Sequence, residues 1–339
     1  MNVTEKDGVF FANNYGHGSS GWTLAPGSVT YVNVLLEKSA GNKLTKNSNI
    51  TIVGGGVIGL LTAFDLIHRG YSNITIIAEQ FDDLASHKAG GLVAFVKIDI
   101  DPSMREMVDK IRADGYKFYK KIADGKDPIF KNGAVILPTY FPTREDSLLE
   151  PYVGVVMKPG KDVILDFGNG KRQRMVSYDD GIFIDTVTMM EQLKKFLDGK
   201  VVFKQMKIHS FNEIKSNFIM NCTGLGARVL SSDDEMIPVQ GHLLMLKNQD
   251  PSHLQYMICV EFGEGTTKEG FKVTRSFYMF PKHALGAMSH DVGVIGGTFI
   301  EGADADHPNV EEFDTVIKNA KSFYGIEDDA NFISPEGNN

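Results

Sequence analysis

Ile50-Thr51-Ile52-Val53-Gly54-Gly55-Gly56-Val57-Ile58-Gly59-Leu60-Leu61-Thr62-Ala63-Phe64 decides how the rest of the chain is read. An apolar, β-branched run stops at Gly54-x-Gly56-x-x-Gly59, and Val57, Leu60, Leu61, Phe64 and Ile67 then recur at helical spacing. This predicts a strand, a tight glycine turn and a helix. The first glycine permits the turn, the second lets the backbone approach a pyrophosphate, and the third lets helix and strand pack closely, so an anion can sit at the helix N-terminus. Past the last glycine, Ile74-Thr75-Ile76-Ile77-Ala78 forms a second strand-like run that ends on Glu79. A carboxylate at that place can accept hydrogen bonds from ribose hydroxyls. A glycine triplet alone is weak evidence, but one flanked by two strands, a periodic helix and an acid points to a dinucleotide ligand.

Working outward, residues 8 to 37 read as a short strand, a loop rich in glycine and serine, and a helix through Val29, Val32 and Leu36. The loop exposes backbone N-H groups with little side-chain bulk, which suits a flat or anionic ligand as well as a plain solvent loop. His17, set between glycines, reads as a loop residue bonding locally rather than as a general base. Lys38 to Asn49 is polar and reads as a linker. Ser103 to Ile122 has helical spacing, and short β-like runs begin at Ile129. A helix capped by Asp185 follows, Val201 to Phe203 and Phe218 to Asn221 return to the first sheet, and the runs from His242 to Phe299 complete a second sheet. Asn309 to Tyr324 is a helix.

The fold class expected is α/β, or α+β overall. A Rossmann-like unit with a mixed sheet takes residues 1–125, 185–235 and 309–330, and an antiparallel β unit takes residues 126–184 and 236–308. The length of 339 residues and 42% hydrophobic content accommodate both. A net charge of -8 with no long basic block argues against nucleic acid and against an anionic membrane surface. Cys222 and Cys259 lack disulfide or metal spacing, which suggests buried thiols in a reducing, cytoplasmic setting. No apolar run reaches the roughly 18 residues needed to span a bilayer.

Seven stretches together resemble the D-amino-acid oxidase family of flavoproteins. They are Val53 to Leu60, Ala78-Glu79-Gln80-Phe81, Ala89-Gly90-Gly91-Leu92, Asn221-Cys222-Thr223-Gly224-Leu225-Gly226-Ala227, Pro238-x-Gln240-Gly241, Ser276-Phe277-Tyr278-Met279-Phe280-Pro281 and Asn14-Tyr15-Gly16-His17-Gly18-Ser19-Ser20-Gly21-Trp22-Thr23. The resemblance implies bound FAD, with a small-molecule substrate that is a D-amino acid or small amine, O2 as electron acceptor and oxidative deamination as the reaction. It places cofactor contacts at Gly54, Gly56, Val57, Ile58, Gly59, Glu79, Gln80, Ser86, Ala89, Gly90, Gly91, Leu92, Ile208, Cys222, Thr223 and Gly224, and in the first loop at Gly18, Ser19, Ser20, Gly21, Trp22 and Thr23. Tyr278 matches one of two substrate tyrosines, the other falls on Thr274, and Arg275 is a candidate for the substrate carboxylate. In a regular strand, however, Arg275 faces away from Tyr278.

Two departures stand out. The Asn-Tyr-Gly-His-Gly stretch belongs near the C-terminus in that family but here precedes the glycine turn, which suggests a circular permutation joined through Lys38 to Asn49. The family's Gly-x-Arg-Pro segment, whose arginine holds the substrate carboxylate, is not found. A flavoprotein without turnover, acting in binding or interaction, is therefore the alternative. A nicotinamide-dependent dehydrogenase is weaker, because it leaves the stretches at Asn14 and Asn221 without a role. A homo-oligomer remains open.

Overall fold

The structure is a computed structural model that describes residues 1–95, 100–247, 250–282, 291–303 and 307–326. The polar tail from Ser334 and residues 327–330 of the expected first unit lie outside the described residues. The chain begins with a hairpin, β1 (Asn2–Lys6) and β2 (Val9–Asn13), then turns at Gly18–Ser20 into α1 (Gly21–Ala40). β3 (Ile50–Val53), α2 (Val57–His68) and β4 (Ile74–Ala78) form the βαβ unit around the glycine turn. Short α3 (Ala85–Lys88) and long α4 (Arg105–Ala123) lead to β5 (Ala134–Ile136), β6 (Thr139–Phe141), β7 (Lys161–Asp166), β8 (Arg172–Tyr178) and β9 (Ile182–Ile184). Next come α5 (Thr186–Leu197), β10 (Val202–Gln205), β11 (Phe218–Asn221) and α6 (Ala227–Leu230). The chain then runs through β12 (Val239–Gln240), β13 (Leu243–Lys247), β14 (Met257–Thr266), β15 (Lys272–Pro281) and β16 (Asp291–Glu301) to α7 (Glu311–Tyr324).

The first sheet has the order β1-β2-β11-β3-β4-β10. Every pair from β2 to β10 is parallel, and β1 pairs antiparallel at the edge. Parallel strands need both faces covered, and all four residues of β3 and of β11 are buried accordingly. The register brings Asn13, Asn221, Val53 and Ile77 level, so the chain leaves β2, β11, β3 and β4 along one edge. That C-terminal edge is where open α/β sheets hold ligands.

The N-terminal segment is integral to this sheet. Its strand β2 pairs with β11, and its helix α1 buries Val29, Val32 and Leu36 in the core that also holds Leu60 and Leu61 of α2. Against α4 the approach is backbone to backbone: a Cβ on Gly115 would stand 2.0 Å from the Thr23 carbonyl oxygen, and one on Gly27 2.4 Å from that of Ile111. The helix also runs further than the polar composition of Lys38 to Asn49 suggested. It stops only at Gly41, whose φ of 50° lets its N-H turn back to the Glu37 carbonyl.

The second sheet has the order β12-β16-β15-β14-β6-β8-β7, with β13 also on β16. It departs from the antiparallel expectation at one place, where β14 runs parallel to β6. These strands are far apart in sequence, so their connection is not bound by hairpin geometry. A second difference concerns α7, grouped above with the first sheet. Its Phe323 packs instead on Phe277 and Phe167 in the cluster that holds Met175, Ile258 and Met279 of the second sheet. A helix's apolar stripe calls for a partner but does not name one.

Both cysteines are free thiols, Cys222 buried and Cys259 half-buried, and burial pushes each up to about 12. No described helix is long and apolar enough to cross a membrane.

Candidate functional site

The glycine turn is fixed by backbone contacts. Gly54 has φ of 122°, and a Cβ there would lie 2.2 Å from the Cys222 carbonyl oxygen. A Cβ on Gly59 would lie 2.0 Å from the Gly54 carbonyl oxygen. So the turn is pressed between β11 and its own helix, in the close helix-strand packing that the third glycine permits. Gly56 stands at the N-cap of α2 with no side-chain cap, and the helix opens toward the sheet edge.

Three segments distant in sequence converge there. The Val57 N-H at the start of α2 donates to the Ser86 hydroxyl at 3.0 Å, while the Trp22 indole N-H donates to the Ser86 carbonyl at 2.9 Å. Close by, the Ala94 N-H donates to the Thr23 hydroxyl at 3.2 Å, and the Tyr119 hydroxyl holds the Trp22 carbonyl at 2.9 Å. Ser86 thus ties the first turn of α1, just after its glycine-rich loop, to the glycine turn. Within that loop His17 bonds Ser28 Oγ at 3.2 Å, and burial with the nearby N-terminal amine lowers it to about 4, so it is neutral near pH 7.

Other expected positions lie along the same edge. Glu79 follows β4 with its carboxylate exposed and paired to Lys207 Nζ at 3.0 Å; Gln80 beside it is exposed. Ile208 is buried with Val53, Ile77 and Ile219. Thr223 and Gly224 continue from β11, the Thr223 hydroxyl donating to Asn221 Oδ1 at 2.7 Å.

Ala89 to Leu92 is held between β9, which pairs with β5 in a two-stranded sheet of its own, and β15 of the second sheet. Ile184 N-H donates to the Gly91 carbonyl at 2.7 Å, and a Cβ on Gly91 would meet the Ile184 carbonyl oxygen at 2.3 Å. From the other side, a Cβ on Gly90 would lie 2.8 Å from the Phe280 ring and 3.8 Å from the Tyr278 ring. Tyr278 and Phe280 stack at 4.6 Å between centroids. Burial raises the Tyr278 phenol well above its ordinary range, so it is a donor at any physiological pH.

A family model described as FAD dependent oxidoreductase, DAO, matches residues 49–335. The chain belongs to the DAO family. FAD is accordingly its cofactor. The chain is 29% identical over 229 residues to a D-amino-acid oxidase of Dictyostelium discoideum, covering 62% of each chain. To a D-amino-acid oxidase of Streptomyces coelicolor it is 24% identical over 225 residues, covering 66% of each. The chain thus spans less than two thirds of the length of these curated relatives. Among solved structures it is similar to glycine oxidase from Bacillus cereus, with a TM-score of 0.56 at 14% identity over 81% of this chain and 78% of that one. Iminodiacetate oxidase from Chelativorans sp. BNC1 gives a TM-score of 0.57 at 14% identity, over 84% and 81%. Both likenesses concern the fold.

The residues present fit the family's cofactor. The cradle at Gly54 and Gly59 is one that a Cβ would fill, and the N-cap of α2, Gly56, brings no side chain to its first turn, where the Val57 N-H is held by Ser86. Asn14, directly after β2 on the same edge, is 1% exposed, and neither polar atom of its side chain has a partner among the described residues. Buried amides are normally satisfied, so a bound polar group is the natural complement.

Two substrate expectations are not brought together. Arg275 does not face Tyr278: its Nε and Nη2 donate to the two carboxylate oxygens of Glu312 on α7, at 3.0 and 2.6 Å. Its fork is occupied, which corrects its reading as a carboxylate holder. Thr274 pairs with Glu264 and Phe299, away from the stacked rings, whereas Tyr278 pairs with Cys259 and Gly296. Phe280 entered the sequence reading only as part of a family stretch and Lys282 not at all, although the alternation of Tyr278 and Phe280 in β15 with Lys282 just after it was the signal for a shared face.

Proposed function

We infer that this DAO family member oxidises a carboxylate-bearing amine, a D-amino acid in the first instance, at the junction of the two sheets, with O2 as final acceptor. The observation that carries this reading is the packing of Tyr278 and Phe280 against Gly90, next to the edge where Val57, Ser86 and Trp22 meet. Residues 1–125 and 185–235 would hold FAD, and residues 126–184 and 236–308 would present the substrate. In this reading Gly54 to Gly59 carry the pyrophosphate, Glu79 and Gln80 take the ribose, and Ser86, Ala89 to Leu92, Ile208, Cys222 to Gly224 and Gly18 to Thr23 complete the lining. Names of relatives agree with an amine-oxidising site: D-amino-acid oxidase, glycine oxidase and iminodiacetate oxidase.

FAD, when bound, would supply the two-electron oxidising chemistry, with O2 as the final acceptor. The balance is amino acid, water and O2 to 2-oxo acid, ammonia and peroxide. For its part the chain orients the α-C-H and excludes water, so no side-chain base is required. The Tyr278 hydroxyl, held protonated by burial, donates to the substrate carboxylate. In an anaerobic titration of the FAD-loaded protein, at least one D-amino acid of a panel bleaches the flavin absorbance faster than its L-enantiomer. A bound flavin that no amino acid or small amine bleaches would replace this reading with that of a flavoprotein without turnover.

The order of motifs fits a circular permutation, in which β2, the following loop and α1 serve as the family's last pieces. Gly18 tests this: its φ is 56° and no atom lies within 4 Å of an added Cβ. Asp tolerates that conformation better than most residues, so Gly18→Asp leaves thermal stability of the apoprotein within about 1 kcal/mol. FAD affinity, measured by fluorescence titration, falls about tenfold or more because a carboxylate then faces an anionic cofactor. Unchanged affinity would separate this loop from the cofactor.

A further inference from the structure

Lys282 closes the face that Tyr278 and Phe280 share on β15, and the functional reading above gives it no task. Its side chain is enclosed, with 5% of the residue exposed. The ammonium donates to the Ala89 carbonyl at 2.6 Å and, at 3.4 Å, to the Thr186 hydroxyl. Both acceptors are neutral, and no carboxylate of the described residues hydrogen-bonds to it. Asp185, the acid that acts on it electrostatically, spends Oδ1 on the Thr188 N-H as the cap of α5.

A buried cation without a hydrogen-bonded anion is an unfavourable arrangement unless a ligand completes it. The strain shows in its basicity, which burial lowers to about 8 against the opposing pull of Asp185. The ammonium's carbonyl partner belongs to Ala89, one residue from the Gly90 on which Phe280 and Tyr278 pack. A cation and a phenol donor therefore flank the same glycine segment. The other basic group considered for a carboxylate, Arg275, is engaged by Glu312. We propose that the Lys282 ammonium anchors the substrate carboxylate beside the Tyr278 hydroxyl, making Lys282 the residue that selects anionic over neutral amines. This rests on the amine-oxidising reading of the site.

The test uses FAD-loaded protein and follows flavin absorbance while small aliphatic carboxylates, acetate and propionate, and their primary amides are titrated in. Wild type binds the carboxylates more tightly than the amides. Lys282→Met weakens the carboxylates about 10- to 100-fold, the range of a hydrogen bond to a charged group, and leaves the amides and FAD affinity within threefold. Lys282→Gln keeps a donor for the Ala89 carbonyl but no charge, so it separates anchoring from a structural tether and decides the matter if Lys282→Met does not fold. Lys282→Arg retains carboxylate preference. In turnover the loss appears in KM for an anionic substrate and not for a neutral amine. Wild-type carboxylate affinity in Lys282→Gln overturns this inference alone, whereas a wild-type protein with bound FAD that discriminates no carboxylate from its amide overturns the functional reading with it.

Discussion

Gly59→Ala lowers FAD affinity by at least about tenfold and destabilises the apoprotein by about 3 kcal/mol, as expected of a methyl forced into packed backbone. The added Cβ would stand 2.0 Å from the oxygen and 3.0 Å from the carbon of the Gly54 carbonyl. Neither atom belongs to a flexible side chain, so relief must come from moving the turn itself. That turn is already fixed from the other side, because Gly54 sits against the Cys222 carbonyl. Displacing it spreads the amides at the start of α2 and disturbs β11 as well. Gly56→Ala is the contrasting variant: its Cβ meets only the movable Ser86 hydroxyl at 3.1 Å, and φ of -77° suits any residue. Its apoprotein should lose less than about 1 kcal/mol. Urea unfolding and fluorescence titration with FAD measure both effects, and a Gly59→Ala protein indistinguishable from wild type would show that the turn can yield.

Arg275→Met destabilises the fold by about 3 kcal/mol by leaving a buried carboxylate unpaired. Glu312 has a side chain only 5% exposed, whereas that of Arg275 is 26% exposed. The asymmetry predicts that removing the arginine is the more harmful change, because the guanidinium can reach water when Glu312 is replaced and the carboxylate cannot. Glu312→Gln therefore costs less than Arg275→Met in the same urea measurement. Replacing both by apolar residues, Arg275→Met with Glu312→Leu, recovers most of the loss, as buried pairs often permit. The same variants separate structure from substrate binding. If Arg275 serves only to fasten α7 onto β15, then Arg275→Met binds acetate as wild type does once it is folded and loaded with FAD. A selective loss of carboxylate affinity in that variant would return Arg275 to the substrate site.

The glycine turn and its flanking strands were legible because their signals are local. Apolar runs, the shift from strand to helical period and three glycines are all contained between Ile50 and Ile67. The cap at Asp185 was legible for the same reason, and its Oδ1 accepts the Thr188 N-H at 3.0 Å. Strand order was not. Nothing in Val9 to Asn13 states that β11, two hundred residues away, inserts between it and β3. The helix from Asn309 announced an apolar face but not the sheet that would cover it.

Side-chain commitments show the same division. Arg275 lies in β15 and Lys282 directly follows it, and their sequence surroundings do not rank them. The structure occupies the first with Glu312 and encloses the second beside Ala89, so the order of interest reverses. By itself the sequence determined the βαβ unit, the family resemblance and hence the cofactor, since each depends on residue types at fixed short spacings. Only the tertiary structure decided which charges are already neutralised and which are not. Burial and pairing are properties of segments brought together from the whole chain, and the free energy of a charge depends on those neighbours rather than on its place in the sequence.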